Sequence, residues 1–308
     1  MILYHMTIFQ SSFLGFVQGI TEFLPISSSG HLFLVEKFFG LENNLAFEIW
    51  LHVASLLAVI LFFHKKIFVL CSDTIQVVLN FCFKCDKKIL QKNQKSKIQN
   101  FFNFLFHKIN LFIRLVSAPL RTLIYKKNNI AQKKLLGLKL LVSTFFTAII
   151  AIFFQPILEF YLSIKIVAST LIFTGIVIFI SSKFQIKKNT EFSWVLSILL
   201  GIVQGFTITP GISRSGITIS FLIFYGIPAK KSAEISFLLS IPTILGALIF
   251  SLQKTEENIF NLIFFSGFVV SFIVAFFSIF FMYRVVERKW VYFSGYCFFV
   301  GIMLLCFE

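Results

Sequence analysis

Residues 14–30 read LGFVQGITEFLPISSSG and residues 200–216 read LGIVQGFTITPGISRSG. Displaced by 186 positions, ten of the seventeen residues coincide without a gap. Each copy is apolar sequence interrupted by Pro, Gly and Ser, which predicts two versions of one broken helical unit. The differences fall on reactive residue types. Glu22 stands where the second copy has Ile208, Ser28 where it has Arg214, and one step further His31 where it has Ile217. One copy thus supplies an acid, a hydroxyl and an imidazole, and the other a permanent cation.

Working outward, the 308-residue chain is 57% hydrophobic and only 13% charged, with a mean hydropathy of +0.90. A soluble domain of this size has no interior for that much apolar side chain, so its solvent is membrane lipid. The net charge of +15 and the 45 Phe residues fit the same reading. The basic residues gather between apolar runs, where they set topology, so no nucleic-acid partner is inferred. The N-terminal MILYHMTIFQ has no Lys or Arg ahead of its apolar run and no small-residue cleavage site, so it is expected to be retained. The five Cys form no disulfide framework. The lone C-x-x-C of Cys82 and Cys85 lacks a second ligand pair for zinc and is read as structural.

Apolar runs at 45–63, 135–154, 164–182, 233–252, 259–283 and 290–307 approach the roughly 20 residues that cross a bilayer, giving about six spanning helices. From Lys84 to Lys139 there are fourteen basic residues against Asp86 alone, which places this stretch in the cytoplasm. Lys183, Lys187 and Lys188, and then Arg284, Arg288 and Lys289, mark further inside loops. Residues 7–39 and 193–227 are apolar but broken, and such a break at membrane depth requires burial in protein or a wet cavity. The expectation is an all-α, polytopic membrane protein with two re-entrant helix–loop–helix segments in an inverted-topology repeat, their loops meeting near the midplane. Within one membrane domain of residues 1–308, repeat 1 covers about 7–64 and repeat 2 about 193–252. A basic excursion at about 84–134 lies against anionic lipid, and C-terminal spans occupy 259–307.

A charged side chain at bilayer depth costs about 2.5–3.5 kcal/mol on insertion scales, so Arg214 needs a partner or a purpose. Around it Pro210, Gly211, Ser213, Ser215 and Gly216 form a tight loop before a helix, suited to an anion, and the guanidinium fork suits phosphate oxygens. The structural alternative pairs Arg214 with Glu22 or Glu234. In the first copy Glu22 is a candidate base or divalent-cation ligand. Ser27, Ser28 and Ser29 offer nucleophilic or phosphate-binding hydroxyls, and His31 a proton carrier or nucleophile. The same serines also suit the cap of the helix beginning near His31. Gln18 and Gln204, matched in both copies, are read as partners of backbone or substrate oxygens. Glu48 and Glu234, again 186 apart, open their spans. His5, His52, His64 and His107 are assigned to no shared constellation.

TEFLPISSSGH (21–31) and PGISRSG (210–216), with FEIWLHVASLLAV (47–59) and AEISFLLSIP (233–242), resemble the bacterial undecaprenyl-diphosphatase family linked to bacitracin resistance. The resemblance implies hydrolysis of undecaprenyl diphosphate to undecaprenyl phosphate and inorganic phosphate, recycling the lipid carrier for cell-wall polymers. It implies a divalent cation, Mg²⁺ or Ca²⁺, held partly by Glu22, and an active site opening to the outer side of the bacterial inner membrane. Carried over by position, Glu22, Ser28, His31 and Arg214 are catalytic. Gln18, Ser27, Ser29, Gly211, Ser213 and Ser215 bind substrate. Many members have Glu where this chain has Gln18, leaving one carboxylate fewer for a metal. Ser28 and His31 both remain candidates for the nucleophile, and homo-oligomerisation is left open. A polyprenyl-phosphate transporter or flippase is the alternative, because inverted repeats with broken helices also build transporters.

Overall fold

A computed structural model describes residues 6–42, 44–90, 108, 111, 135–158, 163–186, 190–251 and 262–306, and every regular element among them is helical. In chain order these are α1 (Ile8–Thr21), α2 (Ser28–Phe39), α3 (Leu45–Phe62), α4 (His64–Leu90), α5 (Leu136–Leu158) and α6 (Ile164–Lys183). There follow α7 (Trp194–Gly205) with a 3-10 turn at Phe206–Ile208, α8 (Arg214–Phe224), α9 (Ala229–Ser251) and α10 (Leu262–Cys306). Beyond the end of α4 the basic excursion lies outside the described residues, except for 108 and 111.

Local sequence explains where these helices begin and stop. Thr7 and Gln10 form a reciprocal capping box at the start of α1. Ser27, Ser193 and Ser213 each accept a backbone N–H of the helix that follows. Gly40, at φ +66°, closes α2 in the left-handed conformation. Pro25 and Pro210 follow the ends of α1 and the 3-10 turn, where neither helix can continue.

Shifted by 186 residues, α1 falls on α7, α2 on α8 and α3 on α9. The duplicated sequence is therefore a duplicated helix–break–helix unit followed by a long helix. The two copies also share a packing device. A Cβ on Gly15 would run into the backbone of Gly267 in α10, and one on its counterpart Gly201 into the backbone of Ser143 in α5. Close helix passes of this kind are a common way to pack in lipid, where burial of apolar surface gives no net drive.

Among the described residues five helices are long and apolar enough to cross a membrane: Leu45–Phe62, Leu136–Phe154, Ile164–Lys183, Ala229–Ile249 and Leu262–Cys306. The runs expected at 259–283 and 290–307 lie on either side of a kink at Lys289, whose non-helical dihedrals divide the 45 residues of α10 into two helices. At about 1.5 Å per residue α10 is long enough for two crossings. Large apolar side chains stand exposed along these helices, among them Phe153, Phe277 and Phe299, as expected where the neighbour is lipid rather than water.

The helices divide into two compact units, Met1–Phe62 with Leu141–Glu308, and Phe63–Leu140. In the second, Gly137 packs closely on Thr74 of α4. All the candidate site residues lie in the first.

Candidate active site

The first break is bent by Ser27, which is buried and has φ +71°, the one positive value on a non-glycine residue among those described. Such a conformation is strained and concentrates at functional positions. It lets the Ser27 hydroxyl accept from Gly30 N at 3.2 Å and starts α2 with Ser28 turned toward the end of α1. The second break is held from α6. Thr170 Oγ1 donates to Pro210 O at 2.8 Å, and Ser213 N donates to Thr174 Oγ1 at 3.2 Å. Gly211, at φ +85°, lies so close to α6 that a Cβ would meet Val167 O at 2.7 Å. Glycine is thus required there for both conformation and space.

The two breaks meet. A Cβ on Gly30 would stand 3.1 Å from Cα of Gly211, and Ser215 Oγ donates to Leu24 O at 3.0 Å. Across this junction Arg214 Nη2 forms an ion pair with Glu22 Oε1. The other carboxylate oxygen, Oε2, accepts from Ser28 Oγ at 2.8 Å and from Gln18 Nε2 at 3.0 Å. Glu22 is 5% exposed and Gln18 fully buried, whereas the Arg214 side chain is 21% exposed. The acid is therefore enclosed while its cation still reaches open space.

His52 completes the cluster. Its Nδ1 lies 2.9 Å from Gln18 Nε2 and 3.3 Å from Glu22 Oε2. Sequence reasoning left His52 out because nothing in the repeat marks it. The usable signal was an imidazole in the middle of an otherwise apolar span, which is costly unless it has a role.

His31 stands to one side. Ser27 O can only accept, so Nδ1 donates to it at 2.7 Å, and Nε2 then accepts from Tyr296 OH at 2.7 Å. The His31 and Tyr296 rings also stack. Together they border a cavity of about 470 Å³ walled by Val17, Ile20, Leu24, Ile26 and Tyr292. The structure thus gathers Gln18, Glu22, Ser28 and Arg214, adds His52, and directs both nitrogens of His31 elsewhere. Ser29 and Ser213 serve the breaks themselves, through Ser27···Ser29 at 3.5 Å and Ser213···Ser215 at 3.2 Å. Gln204, the counterpart of Gln18, donates to Thr147 Oγ1 at 2.9 Å in an uncharged setting.

Among the described residues no three His, Cys, Asp or Glu side chains are grouped as a metal cage. The oxygens present suit a hard cation carried largely by substrate phosphates. Glu22 supplies one carboxylate, and the buried Gln18 Oε1 has no hydrogen-bond partner.

The model of the bacitracin resistance protein BacA family matches residues 11–303, spanning both breaks and the whole cluster. The chain belongs to the BacA family. Within it, the chain is 35% identical to an undecaprenyl-diphosphatase of Borrelia recurrentis, over 92% of each chain. It is 32% identical to that of Alkaliphilus metalliredigens, over 98% of this chain and 99% of the relative, and 32% identical to that of Treponema denticola, over 97% of each. The BacA match therefore extends through α10, which brings Tyr296 to His31.

Proposed function

We propose that this protein hydrolyses undecaprenyl diphosphate to undecaprenyl phosphate and inorganic phosphate, returning the lipid carrier to cell-wall synthesis. One observation carries the reading. A serine hydroxyl is bonded to one oxygen of a buried carboxylate while an arginine, partly open to ligand, holds the other. Phosphoryl transfer needs chiefly a positioned nucleophile and fixed charge around the phosphorus. Arg214 meets the terminal phosphate with the guanidinium donors not used on Glu22. Ser28 Oγ attacks the terminal phosphorus and its proton passes to Glu22 Oε2. The bond from phosphorus to the bridging oxygen breaks, and undecaprenyl phosphate leaves with that electron pair. Water then attacks the phosphoserine, inorganic phosphate departs and the proton returns from Glu22 to Ser28. Ser28 is favoured over His31 as nucleophile because both nitrogens of His31 are taken by Ser27 and Tyr296.

The two breaks are read as re-entrant loops of an inverted repeat, entering a bacterial inner membrane from opposite sides, with the site opening to the periplasmic face. Glu22 and Gln18 Oε1 would hold a Mg²⁺ or Ca²⁺ brought with the diphosphate, which would neutralise phosphate charge. The prenyl chain stays among the apolar helices, in contact with membrane lipid. The test is phosphate release from undecaprenyl diphosphate by detergent-purified protein, with Mg²⁺ and with chelator, alongside Arg214→Ala. Release by the wild type that collapses in the variant is expected. Folded wild-type protein that moves the lipid between vesicle leaflets but frees no phosphate would overturn the reading in favour of transport.

A further inference from the structure

The tautomer of His52 is set by its neighbours. Glu22 Oε2 is purely an acceptor toward Ser28 and Gln18, so Gln18, 3.0 Å away, must turn its amide nitrogen toward it. The second hydrogen on that nitrogen has His52 Nδ1 within 2.9 Å as its acceptor. Nδ1 is turned toward Gln18 and, at 3.3 Å, toward Glu22 Oε2, and in the neutral ring that accepts from Gln18 the proton sits on the outward-facing Nε2. Among the described residues this Nε2–H has no protein partner, and the His52 side chain is 30% exposed. An accessible donor inside an apolar span, held by a buried amide, is a group prepared for a ligand.

We propose that His52 is a substrate-contacting residue whose Nε2–H donates to an oxygen of the terminal phosphate, with Gln18 as the positioning residue that fixes its tautomer. The inference rests on the diphosphatase reading above. Ser28 Oγ and the His52 ring both lie within reach of the same oxygen of Glu22, whereas Arg214 holds the other. In the proposed arrangement a phosphorus stands about 3–3.5 Å from Ser28 Oγ, the distance of an attacking pair, with one outer oxygen on Arg214 and another on His52 Nε2. In the transition state charge spreads over three such oxygens, so a cation on one side and an N–H on the other stabilise it from two directions. This also gives Gln18 a role that a carboxylate could not fill, since an ionised acid has no hydrogen to donate to Nδ1.

The two amide replacements of His52 separate this role from a structural one. His52→Gln carries an amide nitrogen out to about the position of Nε2, whereas His52→Asn reaches only that of Nδ1. Steady-state phosphate release and thermal unfolding would be measured for the wild type, His52→Phe, His52→Asn and His52→Gln. The expected result is a loss of about 10²-fold in kcat for His52→Phe and His52→Asn, the usual cost of one transition-state donor. His52→Gln should recover most of that loss with little change in KM. Equal impairment of the Gln and Asn variants, or better rescue by Asn, would overturn the proposal, and that comparison stands even if His52→Phe does not fold. An inactive wild type would instead refute the diphosphatase reading itself.

Discussion

Glu22 and Arg214 are 192 positions apart in the chain, yet they form an ion pair where the two helix breaks meet. The pair joins the two repeats through the residues in which they differ, so its loss should affect stability and activity by separate routes. Arg214→Ala leaves the enclosed Glu22 carboxylate without its cation, an arrangement that proteins tolerate poorly. Arg214→Ala should therefore lower the unfolding temperature, and adding Glu22→Gln should recover part of that loss. Neither variant should release phosphate above about 1% of the wild-type rate, as removing transition-state charge stabilisation costs about 10²–10³-fold. Thermal unfolding in detergent and a phosphate assay on the same preparations check both halves.

Ser28 and His31 lie on the first turn of one helix but have different partners. The Ser28 hydroxyl meets Glu22 at 2.8 Å, whereas His31 spans Ser27 and Tyr296. Rapid quenching with ³²P labelled in the terminal phosphate should trap label as acid-stable phosphoserine at Ser28. Ser28→Ala should abolish it. Tyr296→Phe, which removes only the hydroxyl bonded to Nε2 of His31, should leave labelling intact and slow turnover by no more than about tenfold, the scale of one hydrogen bond. Label recovered as acid-labile phosphohistidine would reverse the assignment.

Much of this site was legible because the repeat compares the chain with itself. The mismatches at Glu22 and Arg214 mark the chemistry, whereas the close helix passes at the matched Gly15 and Gly201 appear only in the fold. His52 and Tyr296 were not legible in that way. They enter from α3 and α10, and what makes them matter is distance in the fold, 2.9 Å to Gln18 and 2.7 Å to His31. The serine cap before the first re-started helix was legible, although that helix begins at Ser28 rather than near His31. The division of α10 was legible too: Arg284, Arg288 and Lys289 mark a membrane surface between two apolar runs, and the backbone kinks at Lys289.

The backbone of Ser27 separates conformational strain from capping. At φ +71° a glycine relieves strain, while the hydroxyl's bond from Gly30 N is lost in either small replacement. Ser27→Ala keeps the strain and loses the cap, so it should destabilise by about 1 kcal/mol. Ser27→Gly should lie within a few tenths of a kcal/mol of the wild type, since glycine is itself a tolerable cap. Unfolding temperatures that rank Ser27→Gly at or above the wild type, with Ser27→Ala well below, would show that relief of strain offsets the lost hydroxyl. A Ser27→Gly protein no more stable than Ser27→Ala would remove strain from the account.

Gly15 offers the test of the close helix passes. A Cβ there would collide with the Gly267 backbone, and backbone cannot swing aside as a long side chain does. Gly295, also in a helix, has no atom within 4 Å of its virtual Cβ. Alanine favours a helix over glycine by about 0.8–1 kcal/mol, so propensity alone would make both substitutions stabilising. Gly295→Ala should therefore raise the unfolding temperature. Gly15→Ala should lower it, because overpacking at a fixed contact costs about 1–3 kcal/mol and exceeds the propensity gain. The end of α1 carries Gln18 and Glu22, so Gly15→Ala should also slow phosphate release, as a displacement of about 1 Å far from the chemistry can cost 10²-fold. A Gly15→Ala protein as stable and active as wild type would mean that α1 and α10 separate at no cost, and that their close pass does not hold the site in place.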